Sequence, residues 1–492
     1  MTVTYPLLRA TDPGRWRDTA TAWRAWAATA GRWAAELRAH ATRLRTIWTG
    51  SAADAATAHL ATLIRRLNLF RLGCWIADQA LSEFATALTR SRSMLGGTPA
   101  GVTVADNGTV SGHPAAAVRD TAATITAALT IATEADSAAT SRLSELDTGG
   151  TASPPTGDPP SCTATPAQVR QWWEALTPAQ RRWLLATEPG RLGPLDGVPA
   201  GVRDLANRLT LDELPARLPG LDALRNRLAD GDGPRAYLLQ IDAAGEGRAV
   251  VALGDPDRAA HVLTQVPGMT ADLASYGGEL ARAERIATRA TELAPQQATS
   301  TVMWLGYDAP DFVHEAASRS QATDGATGLR RFQDGLRATH LGAPAHQTLL
   351  GHSYGSLVVG TAAAQPGLAT DDVVFVGSPG VGVDSAAELG VPADRVWSST
   401  SHSDVIQWAA VSPRSLVEDL ALSQAVPGGA LLAFTRPEND LYFGTNPSDP
   451  AFGARVFASE PDAGHLGYWE PGSAALDALA GIAVGQGDVI PR

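Results

Sequence analysis

Residues 351–355, Gly-His-Ser-Tyr-Gly, place a serine between two glycines, and this motif is the first indication of chemistry in the sequence. A serine hydroxyl becomes a useful nucleophile only when a neighbouring base takes its proton. The motif follows the apolar run at 348–350 and precedes a run of small and apolar residues at 356–364. A strand, a sharp turn and a helix in this order can present a nucleophile. We therefore expect Ser353 to be a catalytic nucleophile; the alternative is a glycine-rich turn with an inert serine.

A base and an orienting carboxylate are expected after this serine, in the chain order Ser, Asp, His. Asp404 follows the candidate strand at 395–399, and His465 follows the candidate strand at 455–458. We therefore predict that His465 is the general base and that Asp404 orients its ring. The competing candidates are Asp384, Asp440, His402 and His352.

Backbone N–H groups must stabilise the oxyanion that forms when a serine attacks a carbonyl group. One donor is expected from the residue after the nucleophile, which is Tyr354, and a second from the loop after the third strand. That loop is Val-Pro-Gly-Met-Thr at 266–270, and Met269 is the predicted second donor. A lid or core contact is the alternative role for Met269.

The elements that would hold these residues alternate between strands and helices. Helical patterns at 271–293, 325–340 and 356–365 separate several of the strands. This alternation predicts a mostly parallel sheet with helices on both faces. The candidate strands are 236–241, 248–253, 261–266, 301–305, 347–350, 372–376, 395–399, 431–435 and 455–458.

The N-terminal part has a helical pattern instead. Residues 12–47 carry an apolar stripe that we expect to pack against a second long helix. The chain should turn between the two helices at Trp48-Thr49-Gly50, form a small hairpin at 102–110 and continue as a third helix over 115–146. The first stripe is Trp16, Trp23, Ala30, Leu37 and Leu44 with Trp26, Trp33 and Ile47; the second is Leu60, Leu63, Leu67, Phe70, Cys74, Ala77, Leu81, Phe84 and Leu88.

A segment rich in Gly, Ser, Thr and Pro at 148–166 predicts a linker between two domains. The expected organisation is a helical domain at 1–147 and an α/β domain at 167–492, the latter opening with a helical prelude at 167–232. A long connection at 406–453 predicts a cap or active-site rim. Its aromatic residues could line an acyl pocket or form the core of the insertion: Trp408, Phe434, Tyr442 and Phe443.

The first 95 residues, with Trp-x-Gly at 48–50 between two long helices, resemble the WxG-type helical hairpins of ESX (type VII) secretion in actinobacteria. The resemblance implies a module that docks a helical partner or a secretion apparatus. The Tyr-x-x-x-Asp/Glu export signature of that family is missing, because no tyrosine lies between Tyr5 and Tyr237. Self-association through residues 1–147, as in an ordinary dimerisation hairpin, is the alternative.

The C-terminal half, from about residue 167 to 492, resembles an actinobacterial family of α/β-hydrolases whose substrates are undefined. The resemblance implies an α/β-hydrolase fold and the order Ser, Asp, His, and it implies no substrate. The residues that carry it are Trp172-Trp173, Leu-Asp-Gly-Val-Pro at 195–199, Arg-Asp-Leu-Ala-Asn at 203–207, Val-Pro-Gly at 266–268, Gly-His-Ser-Tyr-Gly-Ser at 351–356, Phe-Gly-Thr-Asn-Pro at 443–447 and Phe452-Gly453.

Composition excludes several other classes of protein. The 492 residues, 44 % hydrophobic and 18 % charged, are typical of globular domains, and the net charge of −12 argues against nucleic acid as a partner. No apolar run reaches membrane-spanning length, and residues 1–15 lack a conventional secretory signal. A cytoplasmic protein, or one exported by a type VII-like route, is therefore expected. The two cysteines, Cys74 and Cys162, have no metal-ligand spacing, so no metal or cofactor is expected.

Together these observations predict an α/β-hydrolase domain, with a mostly parallel sheet flanked by helices, preceded by an all-α helical hairpin. The expected activity is hydrolysis of a small-molecule or lipid ester, or of a thioester, through an acyl-enzyme intermediate. An amidase or peptidase on the same fold is one alternative. A non-catalytic binding or effector protein associated with type VII secretion is the other.

Overall fold

The structure of the chain is a computed structural model that describes residues 2–146, 152–157, 159–161, 163–214, 218–231, 233–311, 313–406 and 441–491. The predicted cap at 406–453 falls largely on residues 407–440. Trp408, Phe434, Asp440 and the candidate strand at 431–435 therefore lie outside the described residues, as do Cys162 and parts of the predicted linker.

The N-terminal part is built from long helices, as expected. Gly50 has a φ of +104° at the turn between α2 and α3, a conformation that glycine adopts without strain. None of the described helices is long and apolar enough to cross a bilayer. The elements are α1 (Tyr5–Ala10), α2 (Pro13–Ile47), α3 (Ser51–Ser93), the hairpin strands β1 (Val102–Val104) and β2 (Val110–Gly112), and α4 (Ala115–Leu146).

The predicted stripe of α2 forms the seam with α3 only in part: Trp16 contacts Phe84 of α3, with ring centroids 5.2 Å apart, and Ala30 is buried, but the tryptophans are largely exposed. Trp26 and Trp33 are 58 % and 53 % exposed, and Trp16 and Trp23 are more than a third exposed. Besides Pro13 and Ala30, the residues that α2 buries are mostly small and follow the same three-four spacing on a neighbouring face: Ala20, Arg24, Ala27, Gly31, Ala34 and Ala41. Small side chains let two helices approach closely, and a Cβ on Gly31 would lie only 3.1 Å from the Arg71 guanidinium carbon of α3.

The described residues of the C-terminal part form an eight-stranded sheet in the order β10–β9–β8–β7–β5–β6–β4–β3. Its neighbouring strands run parallel, except that β4 is antiparallel to both β3 and β6. The strands are β3 (Ala236–Asp242), β4 (Arg248–Leu253), β5 (His261–Val266), β6 (Thr299–Leu305), β7 (His346–His352), β8 (Asp372–Val376), β9 (Val396–Ser399) and β10 (Arg455–Val456). Each predicted strand within the described residues is therefore present.

Helices cover both faces of this sheet. Leu349 and Leu350 are adjacent in β7 and belong to different apolar cores, because successive residues of a strand point to opposite faces. The predicted fold class, a mostly parallel sheet flanked by helices and preceded by a helical region, is confirmed. The helices are α5 (Pro166–Ala175), α6 (Pro178–Thr187), α7 (Pro189–Leu192), α8 (Ala200–Leu211), α9 (Leu221–Ala229), α10 (Tyr276–Leu293), α11 (Val313–Ala316), α12 (Ser320–Thr339), α13 (Tyr354–Ala363) and α14 (Ala474–Ala483).

The N-terminal helices pack directly on the α/β part. Leu72 and Trp75 of α3 share an apolar core with Val169 and Trp173 of α5. A buried charge cluster continues this contact, because Asp78 of α3 accepts hydrogen bonds from Arg235, the residue that precedes β3. The two parts of the chain are therefore joined by a buried interface.

Candidate active site

Ser353 lies between the end of β7 and the first residue of α13. Its backbone has a φ of +53° and a ψ of −130°, a conformation that costs energy for any residue with a side chain. Its N–H donates to the carbonyl oxygen of Val376 in the neighbouring strand β8 at 3.1 Å, which helps to hold the turn. The serine therefore sits in a strained turn above the sheet, at the carboxyl ends of the parallel strands.

The glycines on either side of Ser353 are required by close contacts. A Cβ on Gly351 would lie 2.5 Å from the Cα of Ser356, and a Cβ on Gly355 would lie 2.3 Å from the carbonyl oxygen of Val266. Such distances are far inside van der Waals contact, so a larger residue would force the backbone to move. These contacts give the physical reason for glycines two residues before and after the serine.

Asp404 and His465 come together although 61 residues separate them, and Nδ1 of His465 lies 2.8 Å from Oδ1 of Asp404. The pair lies close to the nucleophile. Gly377 follows Val376, whose carbonyl oxygen accepts from the Ser353 N–H, and a Cβ on Gly377 would lie 3.1 Å from Nδ1 of His465. Among the described residues, no hydrogen bond joins the Ser353 hydroxyl to His465. Catalytic hydrogen bonds are often long without substrate and shorten when it binds.

Asp404 is fully buried and all its polar contacts favour the ionised form. Its Oδ1 also accepts from the N–H of Ile406 at 2.9 Å, and its Oδ2 accepts from the Tyr468 hydroxyl at 2.6 Å. Burial by itself would raise the pKa of Asp404, but the hydrogen bonds from His465 and Tyr468 outweigh it and lower the pKa. The carboxylate is thus available to orient the imidazole ring. Sequence reasoning missed Tyr468, whose only signal is its position three residues after His465.

The loop at 266–270 lies against the nucleophile. A Cβ on Gly268 would be 2.5 Å from the Cβ of Ser353, so the loop backbone passes directly over the serine. Thr270 is, with Ser353, one of two non-glycine residues in the described part of the chain that have a positive φ. Among the described residues, the N–H groups of Met269 and Tyr354 donate to no other group, so both are free to receive an oxyanion.

The competing candidates are placed elsewhere or in other roles. His402 and Asp384 are exposed, and the Asp384 carboxylate accepts from the N–H of Thr445. His352 is buried, and its Nε2 lies 3.0 Å from the carbonyl oxygen of His465, so this nitrogen must be the donor. Burial, followed by the charges of His465 and Arg282, lowers the pKa of His352 to about 3. His352 therefore binds a proton only weakly, which makes it a poorer candidate than His465 for a general base.

Several large apolar side chains close in the chain to the predicted site residues are exposed. Val405 and Leu466, next to Asp404 and His465 in the chain, are 61 % and 54 % exposed, and Met269 is also exposed. Of the two described aromatic residues predicted for an acyl pocket, Tyr442 is exposed, whereas Phe443 is buried in the core and contacts Tyr354. The surface near the site thus carries exposed apolar side chains, and Glu460, Asp462 and Glu470 line the pocket beside Leu466.

Behind the site, α10 contributes a charged pair. Glu279 is ion-paired with Arg282 at 2.5 Å, and burial raises the pKa of Glu279 despite this partner. Arg282 lies over the ring of Trp469, which in turn contacts His352. In the described part of the chain, no group of three or more His, Cys, Asp or Glu side chains is arranged to hold a metal ion.

Comparison with known proteins agrees with this fold. Residues 242–413 match the model of an α/β-hydrolase family. An uncharacterized protein of Mycobacterium tuberculosis is 33 % identical over 387 residues, which cover 68 % of this chain and 57 % of the relative. An uncharacterized protein of Mycobacterium bovis is 38 % identical over 185 residues, which cover 36 % of this chain and 68 % of the relative. The chain thus spans little more than half the length of the first of these relatives. No solved structure matches it significantly.

Proposed function

The chain belongs to the α/β-hydrolase family, and from this premise we propose that it is a serine hydrolase that cleaves an ester or thioester bond through an acyl-enzyme intermediate. The observation that carries the proposal is the strained conformation of Ser353, with a φ of +53° at a strand–helix junction. Strain of this kind persists where the surrounding structure enforces it, and it is common at sites of function.

In the proposed reaction, the Ser353 hydroxyl attacks the carbonyl carbon and its proton passes to Nε2 of His465. Asp404 holds Nδ1 of the same ring and stabilises the imidazolium. The N–H groups of Tyr354 and Met269 bind the oxyanion of the tetrahedral intermediate. The intermediate collapses when His465 protonates the leaving alcohol or thiol, which leaves the acyl group on Ser353. Water then attacks this acyl group while His465 takes a proton from the water. The second intermediate releases the acid as His465 returns a proton to Ser353.

Three exposed apolar side chains support a substrate with an apolar acyl chain. Val405, Leu466 and Met269 expose their side chains next to the proposed catalytic groups. Exposed apolar side chains beside a reactive site are better suited to an acyl or lipid group than to a charged one. An amidase or peptidase would use the same catalytic groups, so esters and anilides with the same acyl chain distinguish these activities.

Reaction of the full chain with a fluorophosphonate probe tests the proposal. Ser353 would attack phosphorus and release fluoride, so we expect one labelled peptide that contains Ser353. Ser353→Ala should abolish labelling, and Asp404→Asn should slow it by several orders of magnitude, on the order of 10⁴. Ser137→Ala, which changes an exposed serine of α4, is the matched control and should react like the wild type. Labelling elsewhere, or none in folded wild-type protein, would contradict the proposed activity and favour a non-catalytic binding or effector protein.

A second role, docking through the N-terminal helices, is supported by the exposed stripe of α2. Trp26 and Trp33 have the heptad-like spacing of a helix seam, but they face solvent. The resemblance of residues 1–95 to WxG-type hairpins is consistent with a helical partner or a secretion apparatus. We propose a second copy of this chain as the occupant.

Size and shape favour a second copy. In an antiparallel pair of α2 helices centred between Gly31 and Arg32, Trp26 of each copy lies opposite Leu37 of the other, so a large side chain faces a smaller one. At up to about 250 Å² per indole, the exposed parts of the four tryptophans amount to roughly 450 Å² per copy. With Leu37, Leu44 and Ile47 added, two copies reach the range of about 1,200 Å² typical of small stable interfaces.

A further inference from the structure

The Tyr468 hydroxyl donates to the same carboxylate that holds the predicted general base. Nδ1 of His465 lies 2.8 Å from Oδ1 of Asp404, and the Tyr468 hydroxyl donates to Oδ2 at 2.6 Å. We infer that Tyr468 is a positioning residue. Its hydroxyl fixes the orientation of the Asp404 carboxylate and draws negative charge from it, so that the carboxylate stabilises the protonated ring of His465 less strongly. This role rests on the proposed hydrolase function, because it requires His465 to act as the base.

The direction of the Tyr468 hydrogen bond follows from its two neighbours. The N–H of Ser401 donates to the Tyr468 oxygen at 2.9 Å, and a backbone N–H can only donate. The hydroxyl proton is therefore free to point toward Asp404. Burial, followed by the charge of Asp404, raises the pKa of Tyr468 well above its usual value, so the phenol keeps this proton.

Local backbone structure explains why one segment supplies both contacts. His465 lies in a turn that leads into a single 3-10 turn at 467–469, and Tyr468 is three residues further along. This short segment brings both side chains to Asp404, the imidazole to Oδ1 and the phenol to Oδ2. Tyr468 is fully buried, whereas the His465 side chain is 23 % exposed.

His352 provides a second contact that holds this segment. His352 donates to the carbonyl oxygen of His465, and the two rings are 4.7 Å apart. The titratable and charged groups that face the pair are therefore Tyr468 on its own segment, His352 from β7, and Glu279 with Arg282 from α10. Of these, Tyr468 is the one that touches the carboxylate.

A hydrogen bond to a carboxylate draws charge away from its other oxygen. Without the Tyr468 hydroxyl, Asp404 would hold the imidazolium more strongly, and His465 would be available as a base only at higher pH. The carboxylate would also be free to rotate, which would lower the rate at every pH. A residue with a purely structural role would affect stability without shifting the pH profile.

The test is the rate of fluorophosphonate labelling of the full chain as a function of pH, for wild type and Tyr468→Phe. We expect the variant to react about tenfold more slowly and its acidic limb to move up by about half a pH unit. Tyr276→Phe is the matched control: Tyr276 is also fully buried, but its hydroxyl has no hydrogen-bond partner among the described residues. The control should keep both the rate and the profile of the wild type.

The outcomes separate the two proposals. If wild type and Tyr468→Phe label Ser353 at the same rate and with the same pH profile, the positioning role is overturned and the hydrolase proposal stands. Folded wild type that does not label would overturn both. If Tyr468→Phe does not fold, 3-fluorotyrosine introduced at position 468 keeps the shape but donates more strongly. It should move the acidic limb to lower pH, and an unchanged or upward limb would overturn the role.

Discussion

Asp78 offers the sharpest test of how the N-terminal helices are joined to the α/β part. Its carboxylate lies 2.8 Å from Nε of Arg24 in α2 and 3.0 Å from Nη2 of Arg235 beside β3. It also accepts from the Ser82 hydroxyl at 3.0 Å, and no part of it is exposed. Asp78→Asn keeps the size of the side chain but removes the charge between two buried guanidinium groups.

The expected cost is large because the arginines cannot reach water. Arg24 and Arg235 are both at least nine-tenths buried, and Asp204 would remain as the nearby carboxylate, 2.9 Å from Arg235. Removing one partner of a buried ion pair typically costs about 3–5 kcal/mol. The total free energy of unfolding of a domain is about 5–15 kcal/mol, so Asp78→Asn should remove a large share of it.

Urea unfolding of the full chain, followed by tryptophan fluorescence and by labelling of Ser353, measures this cost. We expect the fluorescence and the labelling to change over the same range of urea, because a buried interface joins the N-terminal helices to the α/β part. In Asp78→Asn this transition should occur at a lower urea concentration than in the wild type. Asp477→Asn is the matched control: its pair with Arg289 is 2.7 Å long but solvent-exposed, and should be worth less than about 1 kcal/mol. The reasoning is refuted if Asp78→Asn costs no more than the control, or if Ser353 keeps its reactivity after the helices unfold.

The remaining predictions concern the nucleophile and the α2 stripe. Gly268→Ala should slow labelling of Ser353 by on the order of 10²-fold, because the new Cβ would lie 2.5 Å from the Cβ of the serine. Gly277→Ala is the control, since its new Cβ would meet no atom within 4 Å, and it should label at the wild-type rate. A wild-type rate in Gly268→Ala would contradict the prediction and show that the loop backbone can move to accommodate the methyl group. In sedimentation of the full chain we expect a dimer, and Trp26→Glu together with Trp33→Glu should give a monomer; a wild-type monomer at micromolar concentration would exclude the second copy as partner.

The strands and the nucleophile turn could be predicted because their signals are local. Buried strands of a parallel sheet are near-continuous apolar runs, and β8 is such a run after its first residue. The strands β5 and β7 carry shorter apolar runs beside buried polar residues. The glycines at 351 and 355 likewise mark close contacts of their own backbone. Asp404 and His465 were predicted from chain order alone, and the structure brings them within hydrogen-bonding distance; their roles remain predictions.

The seam of α2 was mispredicted in part because the helix carries two stripes with the same spacing. Hydrophobicity selects the tryptophans, yet the stripe that packs on α3 consists of alanines with Gly31 and the buried Arg24. Close packing and the ion pair with Asp78 decide between the stripes, and both depend on residues far away in the sequence. Periodicity alone cannot supply that information.

Tyr468 could not be found from sequence for a related reason. Its role comes from a contact with Asp404 across 64 residues, and tyrosine in a turn has many other uses. The same holds for Arg235, whose partner Asp78 is 157 residues away. Contacts of this kind depend on the folded topology, which has to be known before the pairs can be named.

The sheet order keeps the buried charge cluster away from the proposed catalytic groups. Ser353 follows β7, whereas Arg235 precedes β3, which is four strands further across the sheet. At about 4.8 Å per strand this separates them by roughly 19 Å. Asp78→Asn should therefore lower the fraction of folded chain without slowing the labelling of each folded molecule, whereas Tyr468→Phe should slow labelling at a stability close to that of its control. Because the two variants act at opposite ends of one sheet, their effects on the free energy of unfolding should add in the double variant.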